Sequence, residues 1–314
     1  MARIVVRSVC LSTLIFTMIV SLAAPRFTLK AHAPIKAIVT FSILTDFVKE
    51  VGGERVSVET LVSAGADAHT FDPTPADTVK LIEADVIIAN GLGFETWLPD
   101  LITASRTKAK LITATEGITP LPLVEGENHE IEDNHGEGDP HVWHDVRNVM
   151  HMVTTIRDAL IVLDPDGEAI YTANAAAYLA DLEALDERIL ALVETLPEGR
   201  RIVFTSHDAL AYFGARYGLK VEAVLGVSTE AADPSAGEIA ALIIAIRESG
   251  VPAIFVESQV NPTLIEQIAR EARVKVAPPL YTDSLGEAGT EGETYLSMMD
   301  HNSLTIVEAL HGTN

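Results

Sequence analysis

From Pro34 onward, short runs of apolar, β-branched residues alternate with stretches whose apolar positions recur at helical spacing. Residues 35–41, 56–62, 85–89 and 110–114 read as strands, with helices at 44–51, 75–83 and 94–102 between them. Residues 117–139 break the pattern with turn residues and many acids and read as a loop, after which 145–163 is helical. Past position 200 the alternation restarts. Strands are expected at 201–205, 221–227, 253–257 and 274–277, and helices at 209–217, 234–248, 264–273 and 295–310. Strands alternating with helices build βαβ units, so the expected fold is α/β, with two lobes of parallel sheet flanked by helices. No sequence repeat relates the two halves. Ligands of open parallel sheets sit beyond the carboxyl ends of the strands, which places a site in the cleft between the lobes.

Between the halves lies a helical stretch, 167–198, introduced by Asp164-Pro165 and closed by Pro197-Glu198-Gly199. Its interior has no Gly or Pro, and at 1.5 Å per residue it extends about 40 Å. Its pattern fits a surface helix of one lobe and equally a rigid strut joining both.

The first 33 residues differ from the rest. Arg3 and Arg7 lead into an apolar run over 8–24, followed by Ala31-His32-Ala33. A basic start, an apolar run and a small-residue site predict a cleaved secretory signal, with an uncleaved membrane anchor as the alternative. The expected division is therefore a signal at 1–33, a first lobe at 34–166, a linking helix at 167–199 and a second lobe at 200–314. The only cysteine, Cys10, stands at the start of the apolar run. A lipid-anchor cysteine belongs at the end of such a run, so a lipoprotein is not expected. Loss of the segment would leave no disulfides and no thiolate ligands.

Charge narrows the partners. Lys and Arg total 22 against 45 Asp and Glu, a net charge of −23 over 314 residues. Such a surface repels phosphate, so nucleic acid is a poor partner and an anionic membrane a poor surface. Removing the signal takes away Arg3, Arg7, Arg26 and Lys30 but no acid, which makes the exported chain more acidic still.

The chain has ten histidines. His32 falls in the signal, and His129 and His135 in the acidic loop. His151 and His301 fall within expected helices and His311 just past one, where a solvated or hydrogen-bonded side chain is the ordinary reading. His69, His141 and His207 sit instead at strand ends or loop turns, as does Asp283 after the last strand. Singly, each has an ordinary structural role, with Asp145 and Asp208 as helix caps beside two of them. As a set they place two candidates in each lobe and form an N₃O donor group that suits Zn²⁺ and is tolerable for Mn²⁺. Gly91-Leu92-Gly93 lacks the third glycine of a nucleotide loop and reads as a turn.

These stretches carry a resemblance. Gly65-Ala66-Asp67-Ala68-His69-Thr70-Phe71-Asp72-Pro73-Thr74-Pro75 resembles the first ligand motif of the periplasmic metal-binding proteins of zinc and manganese ABC importers. Asp139-Pro140-His141-Val142-Trp143 is similar to the second. Phe204-Thr205-Ser206-His207-Asp208-Ala209 with Tyr212-Phe213 is similar to the third, and Tyr281-Thr282-Asp283-Ser284-Leu285-Gly286 to the fourth. Ala89-Asn90-Gly91, Ala232-Asp233-Pro234-Ser235 and Phe255-Val256-Glu257 also match. The resemblance spans the chain beyond the signal, with the motifs in the family's order.

The resemblance implies two lobes joined by one long rigid helix, choosing the strut over the surface helix. It also implies an interlobe metal site made by His69, His141, His207 and Asp283, with limited domain motion. Zinc is the expected cargo, because a His at the third position goes with zinc in this family and a carboxylate there with manganese. A manganese carrier is the alternative, since Asp283 can offer two oxygens. An ABC permease of the inner membrane is the expected partner, a metallochaperone a further candidate, and a monomeric periplasmic carrier without enzymatic activity the expected form.

Some features depart from the family or point elsewhere. The long His-rich loop common in zinc carriers is reduced here to His129 and His135 among acids, which reads as a solvated loop. His144, three residues from His141, is a competing ligand on the same helical face, although the motif favours His141. The rival reading is a secreted zinc hydrolase with Glu257 as general base. Catalytic zinc keeps three protein ligands and an open position, and H-E-x-x-H is absent. A surface adhesin is a third class, disfavoured by the absence of a repeat and of an anchor cysteine.

Overall fold

A computed structural model of the chain describes residues 33–122, 138–223, 234–259 and 261–312. The expected signal at 1–33 (Ala33 excepted), the loop with His129 and His135, and the far end of the strand expected at 221–227 lie outside the described residues.

The first lobe is built on β1 (Ile35–Phe41), β2 (Val56–Val62), β3 (Val86–Ala89) and β4 (Lys110–Thr113), all parallel, in the order β2-β1-β3-β4. Every residue of central β1 except Lys36 is buried, as befits a strand covered on both faces. The covering helices are α1 (Ser42–Gly52), α2 (Pro75–Glu83) and α3 (Leu98–Ser105). Thr74 and Asp77 form a reciprocal capping box at the start of α2, with Pro75 pre-set for the first turn.

Helix α3 begins at Leu98 rather than at the expected Phe94. The Glu95 carboxylate accepts from the Asn90 and Gly91 backbone N–H groups at 2.7 and 3.0 Å and from Thr40 Oγ1 at 2.6 Å. Residues 90–95 are thereby tied into a turn that a helix cannot share. Gly91 has φ +86°, and a Cβ there would lie 2.5 Å from Thr113 Cγ2, so the turn admits only glycine.

Helix α4 (Val146–Leu163) opens on Asp145, whose side chain accepts from Arg147 N as a cap. Helix α5 (Glu168–Glu194) then runs 27 residues, about 40 Å. Tyr171, Ala175, Tyr178, Leu182, Leu185, Ile189 and Val193 are buried at helical spacing along it.

The second lobe contains β5 (Ile202–Thr205), α6 (Ala211–Tyr217), β6 (Lys220–Ala223), α7 (Ala236–Ser249) and β7 (Ala253–Ile254). α8 (Thr263–Ala272), β8 (Lys275–Val276) and α9 (Tyr295–His311) complete it. β5 pairs with β6 and β7 with β8, both parallel, and Phe255 N–H donates to Phe204 O to join the pairs. The second lobe thus has two two-stranded sheets linked by that bond, where the first lobe has one four-stranded sheet. The strand expected at 253–257 narrows to two residues plus a bridge at Glu257 to Leu280. Pro278 and Pro279 in the facing segment have no N–H to offer a ladder. Asp208 is not the cap of α6, which starts after Leu210.

Helix α5 is the strut: it packs on α1 and α4 of the first lobe and on α6 and α9 of the second. Residues of both lobes belong to one compact unit. Ser42 Oγ meets Ser284 Oγ at 3.2 Å and accepts from Leu285 N. Trp143 Nε1–H donates to Thr282 O at 2.8 Å, and Tyr295 O–H donates to Trp143 O at 2.7 Å. Tyr295→Phe removes that last bond and leaves a buried carbonyl unpaired. Urea denaturation should show a loss of about 1–2 kcal/mol, and an unchanged midpoint would contradict this role. Among the described residues no helix is long and apolar enough to cross a membrane.

Candidate metal centre

The four residues singled out in the sequence converge. His69 comes from the loop between β2 and α2, and His141 from the turn before a short 3₁₀ helix at Val142–His144. His207 follows β5, and Asp283 follows β8. One ligand atom from each lies within 4.8 Å of all the others. His69 Nε2 is 3.2 Å from His141 Nε2 and 3.6 Å from Asp283 Oδ2. His141 Nε2 is 3.4 Å from Asp283 Oδ1, and His207 Nε2 is 3.0 Å from Asp283 Oδ2. Donors bound tetrahedrally at zinc distances stand roughly 3.3 Å apart, so these spacings match one shared ion. Asp283 Oδ1 is buried with no hydrogen-bond donor, as an oxygen reserved for a cation would be.

Carboxylates behind the ring orient it. His141 Nδ1–H donates to Asp139 Oδ1 at 2.8 Å, and His207 Nδ1–H faces Glu257 Oε2. An ionised carboxylate can only accept, so each ring carries its proton on Nδ1 and turns the Nε2 lone pair inward. Glu257 also accepts from the Ser206 and His207 backbone N–H groups and from Thr282 Oγ1. Its position is that of a hydrogen-bonded support for the centre. Glu257→Gln removes the charge that holds the His207 tautomer, and metal affinity should fall about 10- to 100-fold. Chelator competition measures this, and an affinity equal to that of the parent protein would exclude the role.

Burial and charge act in opposite directions here. Burial pushes the Asp283 carboxyl up, but His207, His141 and His69 outweigh it and hold the group well below the usual carboxylate range. Burial lowers His207, yet Glu257 and Asp283 raise it well above an ordinary imidazole. His141 is likewise raised by Asp283 and Asp139 against its burial. For His69, burial outweighs the pull of Asp283 and Asp67 and takes it down to about 4.

The remaining described histidines stand apart. His144 is fully buried beside Trp143, and burial pushes it down to about 3, but it is not one of the converging four. His151 meets Glu116 O, His301 meets Pro279 O, and His311 meets Thr195 Oγ1. Sequence reasoning missed the orienting role of Asp139 and the packing of Phe94, whose ring lies 4.9 Å from His69 and 5.9 Å from His141. A signal for the first was present. In both Asp67-Ala68-His69 and Asp139-Pro140-His141 the Asp Oδ1 accepts the His backbone N–H, a repeated Asx turn that aims the ligand.

Residues 38–309 match the family model described as zinc-uptake complex component A, periplasmic (ZnuA). The chain belongs to the ZnuA family. It is 37% identical over 276 residues to the manganese-binding lipoprotein MntA of Halalkalibacterium halodurans, covering 88% of each chain. Among solved structures, the periplasmic zinc-binding protein TroA of Treponema pallidum superposes with a TM-score of 0.79 at 30% identity. That match covers 88% of this chain and 99% of TroA. The Mn-bound periplasmic metal-binding protein of Candidatus Liberibacter asiaticus gives 0.76 at 29% identity, with the same coverage. The family's relatives thus carry both metals in their names, and its fold is the two-lobed α/β arrangement described above.

Proposed function

We propose that this chain captures Zn²⁺ outside the cytoplasmic membrane and delivers it to an ABC permease and its ATPase for import. His69, His141, His207 and Asp283 are the ligands. The observation that carries this reading is the buried N₃O cluster with two imidazoles oriented from behind by carboxylates, a donor set that favours zinc. Manganese is the second reading. It is favoured by Asp283, whose two oxygens both face imidazoles and could raise the coordination number, and by the MntA relative. A hydrolase is disfavoured because four protein donors leave no open position for water.

We assign 34–166 and 200–314 to the lobes, 167–199 to the linking segment and 1–33 to an export signal. The chain is read as a periplasmic monomer. MntA is named a lipoprotein, whereas the only cysteine here is Cys10, at the start of the apolar run rather than its end, so we read the chain without a lipid anchor. A metallochaperone remains a candidate donor of the ion.

The test is a competition titration of metal-free protein with Zn²⁺ and Mn²⁺ against a chelator of known affinity. One tight zinc per chain with weak manganese supports the reading. Comparable manganese binding moves the assignment to manganese, and no tight site overturns the ligand set.

A further inference from the structure

Three of the four candidate ligands, His141, His207 and Asp283, have no exposed surface, while His69 retains 8%. His69 is also one of the residues that line a groove of about 790 Å³ formed by the β2–α2 loop and α3. The groove is not a packing defect, because its walls are braced. Trp97 Nε1–H donates to Ala68 O at 3.0 Å beside His69, and the Trp97 ring packs at 4.8 Å on Phe71. Its lining contains the carboxylates of Asp72 and Asp100 and no Lys or Arg, a field that draws cations inward. The interlobe bond from Trp143 Nε1 to Thr282 O ties together the segments that carry His141 and Asp283.

We propose that the metal ion reaches and leaves the centre through this groove, so that His69 is the ligand it meets first and releases last. This inference rests on the metal-binding reading above. His69 is suited to the role by the same features that set it apart. It is the one ligand of the four that keeps exposed surface, and it is the one that lines the groove. His207 and His141 are locked from behind and complete the shell from within the lobes.

Thr96 and Ala104 line the groove, are exposed and take no part in the candidate centre. Thr96→Trp and Ala104→Trp each narrow the path without touching a ligand. Stopped-flow association of Zn²⁺ and its dissociation into excess chelator are measured on the parent protein and both variants. A narrowed path raises one barrier crossed in both directions. The association and dissociation rate constants should therefore fall together, by at least about tenfold, or about 1.4 kcal/mol of barrier, with equilibrium affinity unchanged. Rate constants equal to the parent's in both variants would overturn the route. A change in only one rate constant, with altered affinity, would also overturn it by showing a distorted site. Failure of the parent protein to bind zinc would instead overturn the functional reading, so the two failures are distinguishable.

Discussion

Asp283→Ala should weaken zinc binding by on the order of 10²–10³-fold. Binding free energies of about 10–16 kcal/mol for closed four-ligand zinc sites leave roughly 2.5–4 kcal/mol per ligand. Asp283 is also the only anion among the four donors, and its two oxygens face all three imidazoles. Its loss removes the charge that balances the ion and leaves three convergent lone pairs facing one another. Asp283→Asn keeps the volume and removes only the charge, so it separates ligand loss from a collapsed cavity. Both variants should fold, with zinc no longer raising their melting temperatures at concentrations that stabilise the parent. Parent-like affinity in either variant would remove Asp283 from the centre.

The second large effect is on pH. An imidazole binds metal only when its Nε2 is free of a proton. In the metal-free protein His207 and His141 hold protons above the ordinary imidazole range because Glu257, Asp283 and Asp139 face them. At and below the ordinary range a zinc ion must displace those protons. Affinity should be flat at alkaline pH and fall on acidification, by up to about tenfold per pH unit for each proton displaced. His69, lowered to about 4 by burial, adds to the slope only in more acid solution. Calorimetry in buffers of different ionisation enthalpy counts the protons. One or two released per zinc near pH ~6, and fewer on the alkaline side, is the expected outcome. In Glu257→Gln the fall should begin at lower pH, because the charge holding the His207 proton is gone. Affinity that stays constant or rises on acidification would contradict the assignment of His207 and His141.

Strands β1 and β2 were legible to the residue because buried parallel strands write themselves as apolar runs between turn residues. Helix α3 was not, since Phe94 and Trp97 have helical spacing with Leu101 yet are buried for other reasons. Phe94 packs on Phe41, Trp143 and two of the candidate ligands, while Glu95 holds the turn. The short β7 depended on prolines in a segment 25 residues away, which local pattern does not register. The candidate ligands were legible because each lies in a segment that leaves the carboxyl end of a strand, and because their motifs occur in the family's order. The seams that hold the lobes together were not. The Ser42–Ser284 contact joins positions 242 residues apart, and no periodicity announces such a pair.

The most direct test of the central claim is anomalous diffraction at the zinc edge from crystals of the zinc-loaded protein. The account predicts one peak per chain, bonded to the Nε2 atoms of His69, His141 and His207 and to the carboxylate of Asp283, with Asp139 and Glu257 behind the rings. A peak elsewhere, or a zinc ion bound by His144 in place of His141, would contradict it.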